Sequence, residues 1–196
     1  MNKKTINTLI ISVTLLLFGS FTLYSFQREI QKPKLPVLGR VQPFSLQDSD
    51  GKTFGYDNLN GKVWVANFFF TTCSDICPMM SKNMANLSRS FDLVQNVALV
   101  SVTVNPENDS IQALKAYKEK FISGKKNWFF LTGKREEITD LVVNSFKLGS
   151  VDEPIFHSPK FTLVDRHGFI RGYYEGTEAE EINKLFKDAA LLIKER

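Results

Sequence analysis

Two thiols carry the chemistry that this sequence offers. Cys73 and Cys77 are the only cysteines in 196 residues, and three residues separate them in the stretch TTCSDICPMM. Pro78 follows at once, in a position that suits the first turn of a helix. Thiols between a strand end and a helix start are placed for reactivity, because the partial positive charge of a helix N-terminus stabilises thiolate. Thiolate is also the form that binds soft metals. The competing reading makes both cysteines small apolar core residues; two that share one loop and are the only two fit that reading poorly. The two histidines have different addresses. His167 falls in the turn Asp165-Arg166-His167-Gly168, where a solvated side chain is the default, and His157 directly precedes a strand.

The elements that must hold these groups are readable from periodicity. Val63 to Phe70, β-branched and aromatic almost throughout, reads as a strand buried on both faces. Ahead of it, Phe44 to Gln47 and Thr53-Phe54 flank Asp48-Ser49-Asp50-Gly51 and predict a small hairpin before the core sheet. Met79, Met80, Met84, Leu87 and Phe91 recur at helical spacing after Pro78, which gives methionine a core-packing role rather than a ligand role. Val97 to Val104 predicts a second buried strand, Ser110 to Phe121 a helix, Trp128 to Leu131 a strand and Glu136 to Phe146 a helix. Lys160 to Val164 and Phe169 to Tyr174 form a closing hairpin, and a helix runs from Glu178 to about Lys194. Alternating strands and helices argue for an α/β fold with parallel central strands, to which the last hairpin adds antiparallel ones. In such a sheet the N-terminal end of an antiparallel strand can lie beside the thiols, which is what singles out His157.

Ile6 to Phe26 is 21 residues without a charge, enough for a single transmembrane helix. Lys3 and Lys4 precede it and no small-residue cleavage site follows, so residues 1–28 read as an uncleaved anchor with the domain on the extracytoplasmic side, periplasm or cell surface. Residues 29–42, with Pro33, Pro36 and Gly39, read as an extended linker, and residues 43–196 as one domain. The net charge of +4 does not indicate nucleic acid. Six of the 25 basic residues but only one of the 21 acidic ones lie in the first 40 positions, so the domain is near neutral and carries no basic stripe.

The TTCSDICP loop, the segment VTVNPENDS after the next strand, WFFLTG, and a histidine shortly before FTLVDRHGFIRGYYEG together resemble the Sco family of cytochrome c oxidase assembly proteins. The resemblance covers about residues 41 to 194. It implies a membrane-anchored domain of thioredoxin-like fold, a mixed central sheet with flanking helices, in which Cys73, Cys77 and His157 match the family's copper ligands. The chemistry of that set agrees. Two thiolates and an imidazole suit Cu(I), and can hold Cu(II) with a further weak ligand. Zinc fits less well, since structural sites take four protein ligands and catalytic ones three plus water. Two cysteines cannot hold a four-thiolate iron-sulfur cluster, and no Cys-x-x-Cys-His haem attachment sequence is present.

Asp75 matches the acidic residue usual in the Sco motif, where it orients the loop, tunes the thiols or contacts a partner; a solvent-facing turn carboxylate is the competing reading. Asn105 stands where the family commonly has Asp, and Phe156 where an acidic residue often precedes the histidine. Pro159, six residues before Asp165, sits at the spacing where thioredoxin-like reductases carry a cis-proline; an ordinary trans proline at a strand start competes. Two functions stay open. One is a copper chaperone that serves the copper-site subunit of a respiratory oxidase and exchanges with other copper chaperones or thiol reductants. The other is a thiol-disulfide oxidoreductase with Cys73 and Cys77 as its redox pair.

Overall fold

The structure is a computed structural model and describes residues 2–30, 34–122, 127–149 and 158–195. The chain divides into two units, Met1–Lys34 and Leu35–Arg196. In the first, the uncharged run folds as helix α1 (Lys3–Ile30), which extends past it at both ends. Polar residues interrupt the run: Ser20 and Thr22 turn their hydroxyls back onto the carbonyls of Leu17 and Gly19. Among the described residues no helix is long and apolar enough to cross a membrane. The helix is therefore present as expected, and its spanning role is not shown.

The second unit is built on one eight-stranded sheet. In chain order the strands are β1 (Gly39–Arg40), β2 (Ser45–Asp48), β3 (Thr53–Gly55), β4 (Val63–Phe69), β5 (Val97–Thr103), β6 (Trp128–Thr132), β7 (Lys160–Val164) and β8 (Phe169–Glu175), and across the sheet the order is β1-β8-β7-β4-β5-β6-β2-β3. Every residue of β4 and β5 is buried, which is why their sequences read as apolar runs. β4, β5 and β6 are parallel, and β7 runs antiparallel to β4 with Ala66 opposite Thr162. The N-terminal end of β7 thus lies at the C-terminal end of β4, as the sequence argument requires.

Helices cover both faces. On one, α2 (Ile76–Ser90), α3 (Ile111–Phe121) and α5 (Ala179–Lys194) bury Met80, Met84, Leu87, Leu114, Tyr117, Leu185 and Leu192 against Val65, Phe69, Leu99 and Phe130. On the other, α4 (Arg135–Asp140) and a π-helical turn (Leu141–Ser145) pack Ile138, Leu141, Val142 and Phe146 against Trp64, Phe68 and Val100. The single helix expected over Glu136 to Phe146 is thus split in two. The sheet and helix content is the mixed α/β architecture that the sequence predicts.

Three details differ from expectation. Met79 is not a core residue; it is 51% exposed, while Met80 and Met84 are fully buried. The β2–β3 hairpin is not a separate feature ahead of the sheet but its edge, joined through Gln47 opposite Thr132 and Asp48 opposite Leu131. Part of the stretch 29–42 is also tied to the sheet. Leu38 and Val41 donate N–H bonds to the carbonyls of Ile170 and Gly168, and Val41 is buried. Arg171, paired with Asp165 at 2.8 Å, spends its remaining donors on the carbonyls of Leu35 (2.6 Å) and Pro36 (2.9 Å). Side-chain contacts remote in sequence hold this segment, and local composition does not report them.

A chain starting at Leu35 is expected to fold on its own, because every layer of the sheet and both cores lie within Leu35–Arg196. Circular dichroism with a single cooperative thermal transition is the check; loss of cooperativity on removing residues 1–34 would contradict it.

Candidate metal and thiol centre

β4, central in the sheet, delivers the chain to its C-terminal end, and the loop that follows is fixed before it reaches the first thiol. Val104 donates its N–H to the Phe69 carbonyl at 2.8 Å, and Cys73 donates to the Phe70 carbonyl at 3.2 Å, closing a tight turn. Asp75 stands at the N-cap of α2, yet its side chain makes no capping bond and is exposed. The solvent-facing reading of this carboxylate therefore describes its placement. The backbones of Cys77, Asp75 and Ile76, at the start of α2, act on the Cys73 thiol instead and lower its pKa. Cys73 thus stands just ahead of α2, where the partial positive charge of a helix N-terminus favours thiolate.

Both cysteines are free and buried, Cys73 at 8% and Cys77 at 3% exposure. Burial by itself pushes Cys73 up, but hydrogen bonds from the Cys77 side chain and from the three backbones outweigh it and leave Cys73 below the usual thiol range. Cys77 goes the other way. Burial raises it most, the bond to Cys73 and the charges of Cys73 and Asp109 add to this, and it is pushed up to about 12 despite a bond from the Phe70 backbone. The pair is therefore unequal: Cys73 is the more readily ionised thiol, and Cys77 is the one held protonated.

The walls of the site come from elements that sequence reasoning did not associate with it. Tyr117 of α3 shares a 2.9 Å hydrogen bond with Ser81 of α2, and burial together with the charges of Cys77, Cys73 and Asp109 raises it to about 12. Its ring packs 5.1 Å from Phe69. Asp109, fully buried, accepts from the Thr71 N–H and from the hydroxyls of Thr71 and Thr103. In the sequence Asp109 looks like one more polar residue in a loop before a helix; only the convergence of β4, β5 and α3 reveals its role. Asn105 keeps its side chain local, accepting from Asn108 at 3.0 Å.

His157, and with it Phe156, lies outside the described residues. Among the described residues no three His, Cys, Asp or Glu side chains gather to hold a metal. The described chain resumes at Ser158, and the carbonyl of Pro159 accepts from Gly176 at 2.6 Å; Gly176 in turn accepts from Asn83 of α2 at 2.8 Å. No peptide bond among the described residues is cis, so Pro159 is the ordinary strand-start proline. Gly176 has to be glycine, because a Cβ there would lie 2.6 Å from Phe161 and 2.8 Å from the Pro159 carbonyl. His167 is exposed at the tip of the β7–β8 hairpin, which Gly61 bonds just ahead of β4, at the end of the sheet away from the thiols.

An α/β domain of thioredoxin-like architecture, with a dithiol at the start of the helix that follows its central strand, is the class of protein that this fold and site define. The chain belongs to the SCO1/SenC family, whose profile matches residues 37–191. It is 33% identical over 164 residues to the SCO1 protein homolog of Bacillus subtilis, covering 81% of this chain and 85% of that one. Among solved structures it is similar to BsSco, described as a member of the Sco family of cytochrome c oxidase assembly proteins in which a disulfide switch was identified. That match has a TM-score of 0.74 and 31% identity, over 84% of this chain and 100% of that one. It is also similar to Arabidopsis thaliana ScoI with copper bound, at a TM-score of 0.66 and 26% identity, over 81% of this chain and 100% of that one.

Proposed function

We propose that this chain binds copper through Cys73 and Cys77, with His157 as third ligand, and passes it by ligand exchange to the dinuclear copper site of a haem-copper oxidase during assembly. The observation that carries this reading is the thiol pair itself: the only two cysteines of the chain, adjacent and buried on a helix N-terminus, form a soft, low-coordinate donor set. Copper is cargo here, handed on by exchange with an incoming thiolate. The copper-bound relative and the oxidase-assembly relative support the assignment. The uncharged run Ile6–Phe26 supports an anchor that keeps the domain at the extracytoplasmic face of the membrane.

A thiol-disulfide oxidoreductase is the second reading, and the unequal thiols favour it. A Cys73 more readily ionised than Cys77 is the arrangement in which Cys73 attacks a target disulfide and Cys77 then resolves the mixed disulfide. The two readings share one state, an intramolecular Cys73–Cys77 disulfide, in which copper has no thiolate to bind.

The test is competition between copper and that disulfide. Reduced protein is expected to take up one Cu(I) per chain and then resist oxidation, with both thiols protected from a mass tag. Protein oxidised first is expected to lose both thiols without dimerising and to bind no Cu(I). Copper uptake by the oxidised form, or no uptake by the reduced one, would overturn the copper reading.

A further inference from the structure

Asp109 is a carboxylate with 0% exposure that no ion pair reaches among the described residues. A buried carboxylate is costly unless hydrogen bonds satisfy it. Its donors are the Thr71 N–H, at 3.0 Å, and the hydroxyls of Thr71 and Thr103. Thr103 ends β5, and Thr71 is the first residue past the turn-forming Phe70, two positions ahead of Cys73. Asp109 is itself anchored: its N–H bonds to the Asn105 carbonyl at 3.0 Å, and its neighbour Ser110 caps α3 by accepting from Ala113. A rigid hub at the start of α3 therefore grips the loop where it leaves β4, while the Phe70 carbonyl grips Cys73.

We propose that Asp109 is the positioning residue of the dithiol: by holding Thr71 it fixes Cys73 over the N-terminal amides of α2, in the geometry from which both sulfurs close on one soft metal ion. The proposal rests on the copper reading above for what the geometry serves, and on Asp109, Thr71 and Thr103 for how it is kept. Asp109 touches neither metal nor thiol partner in this role. It acts through Thr71, as outer-shell groups orient the ligands of metal sites. Its charge also faces the Cys77 and Tyr117 side of the site, so it contributes to the electrostatics of the pair without being a ligand.

The test uses the full chain in detergent, reduced, with Cu(I) presented from a competing chelator and with amide hydrogen exchange read on the copper-free protein. Asp109→Asn puts an NH2 donor where an acceptor is needed, so Cu(I) affinity is expected to fall by about 10–100-fold. Exchange is expected to rise roughly tenfold in residues 71–77 and to stay unchanged in β5. Thr71→Val, which removes the hydroxyl and keeps the N–H, is expected to show both effects at smaller size; Thr71→Ser is expected to restore wild-type behaviour. Unchanged affinity and loop exchange in Asp109→Asn would overturn the proposal. So would a rise in exchange spread evenly over the domain, which is what a merely stabilising residue gives. If Asp109→Asn does not fold, the contrast between Thr71→Val and Thr71→Ser decides the question in the same terms. If the unaltered chain binds no copper, the copper reading fails while the exchange measurement still decides the positioning role.

Discussion

Cys77→Ser is expected to keep the fast-reacting thiol and lose the copper, whereas Cys73→Ser is expected to lose both. The asymmetry follows from the site. Cys73 owes its lowered value to the Cys77 side chain and to the backbones of Cys77, Asp75 and Ile76; a serine hydroxyl at position 77 still donates the side-chain bond. Cys77 is held up to about 12 chiefly by burial, and replacing Cys73 leaves that burial in place. A serine oxygen is a hard donor and a poor partner for Cu(I), so either replacement is expected to cost more than the roughly 10–100-fold attached to an outer-shell partner. Alkylation with iodoacetamide against pH reads the thiols directly. Modification of Cys73 is expected to reach half its maximal rate below the ordinary thiol value of about 8.5. Cys77 is expected to react only toward strongly alkaline pH. The linkage has a definite sign: Cys77 has a raised value, so its contribution to stability is complete below the unfolded thiol range and is lost as pH climbs toward about 12. Equal alkylation rates for the two cysteines at neutral pH would contradict this picture.

Phe69→Ala is expected to destabilise the domain by about 3–5 kcal/mol, a large share of the roughly 5–15 kcal/mol that holds a domain together. Phe69 is 1% exposed, its ring lies 5.1 Å from Tyr117 and 5.6 Å from Phe130, and it is the last residue of β4 before the thiol turn. The cavity left behind would sit beneath the turn that Phe70, Thr71 and Cys73 build, so stability and loop order are expected to fall together. Urea unfolding followed by tryptophan fluorescence measures the first; a loss under about 1 kcal/mol would mean that neighbouring rings collapse into the space.

The parts of this architecture that sequence reveals are those whose signal is local. Val63–Phe69 and Val97–Thr103 are buried on both faces and had to be apolar at every position, and α2 repeats its core contacts within a few turns. The thiol loop was legible because both cysteines lie in it. What sequence concealed depends on partners far along the chain. Gly39–Arg40 forms a strand of two residues only because β8 offers an edge and Arg171 grips the carbonyls of Leu35 and Pro36. Periodicity alone placed Met79 with Met80 and Met84, although at the start of α2 nothing packs over it and it is half exposed. Asp109 and Thr71 are 38 residues apart and neither type signals the bond between them. Asp75 was visible as an acidic loop residue, but not that its carboxylate would leave the start of α2 uncapped.

The central claim is that His157 completes a copper site with Cys73 and Cys77, and the direct measurement is a Cu(II) titration of the full chain in detergent, following the thiolate-to-copper absorption. His157→Ala removes the only imidazole of the set, so its absorption band is expected to be lost or strongly shifted while Cu(I), served by two thiolates, is held more loosely but still held. His167→Ala, altered at the exposed hairpin tip at the far end of the sheet, is expected to give the unaltered spectrum. A wild-type band and affinity in His157→Ala would remove His157 from the site and leave the thiol-disulfide role as the account of Cys73 and Cys77.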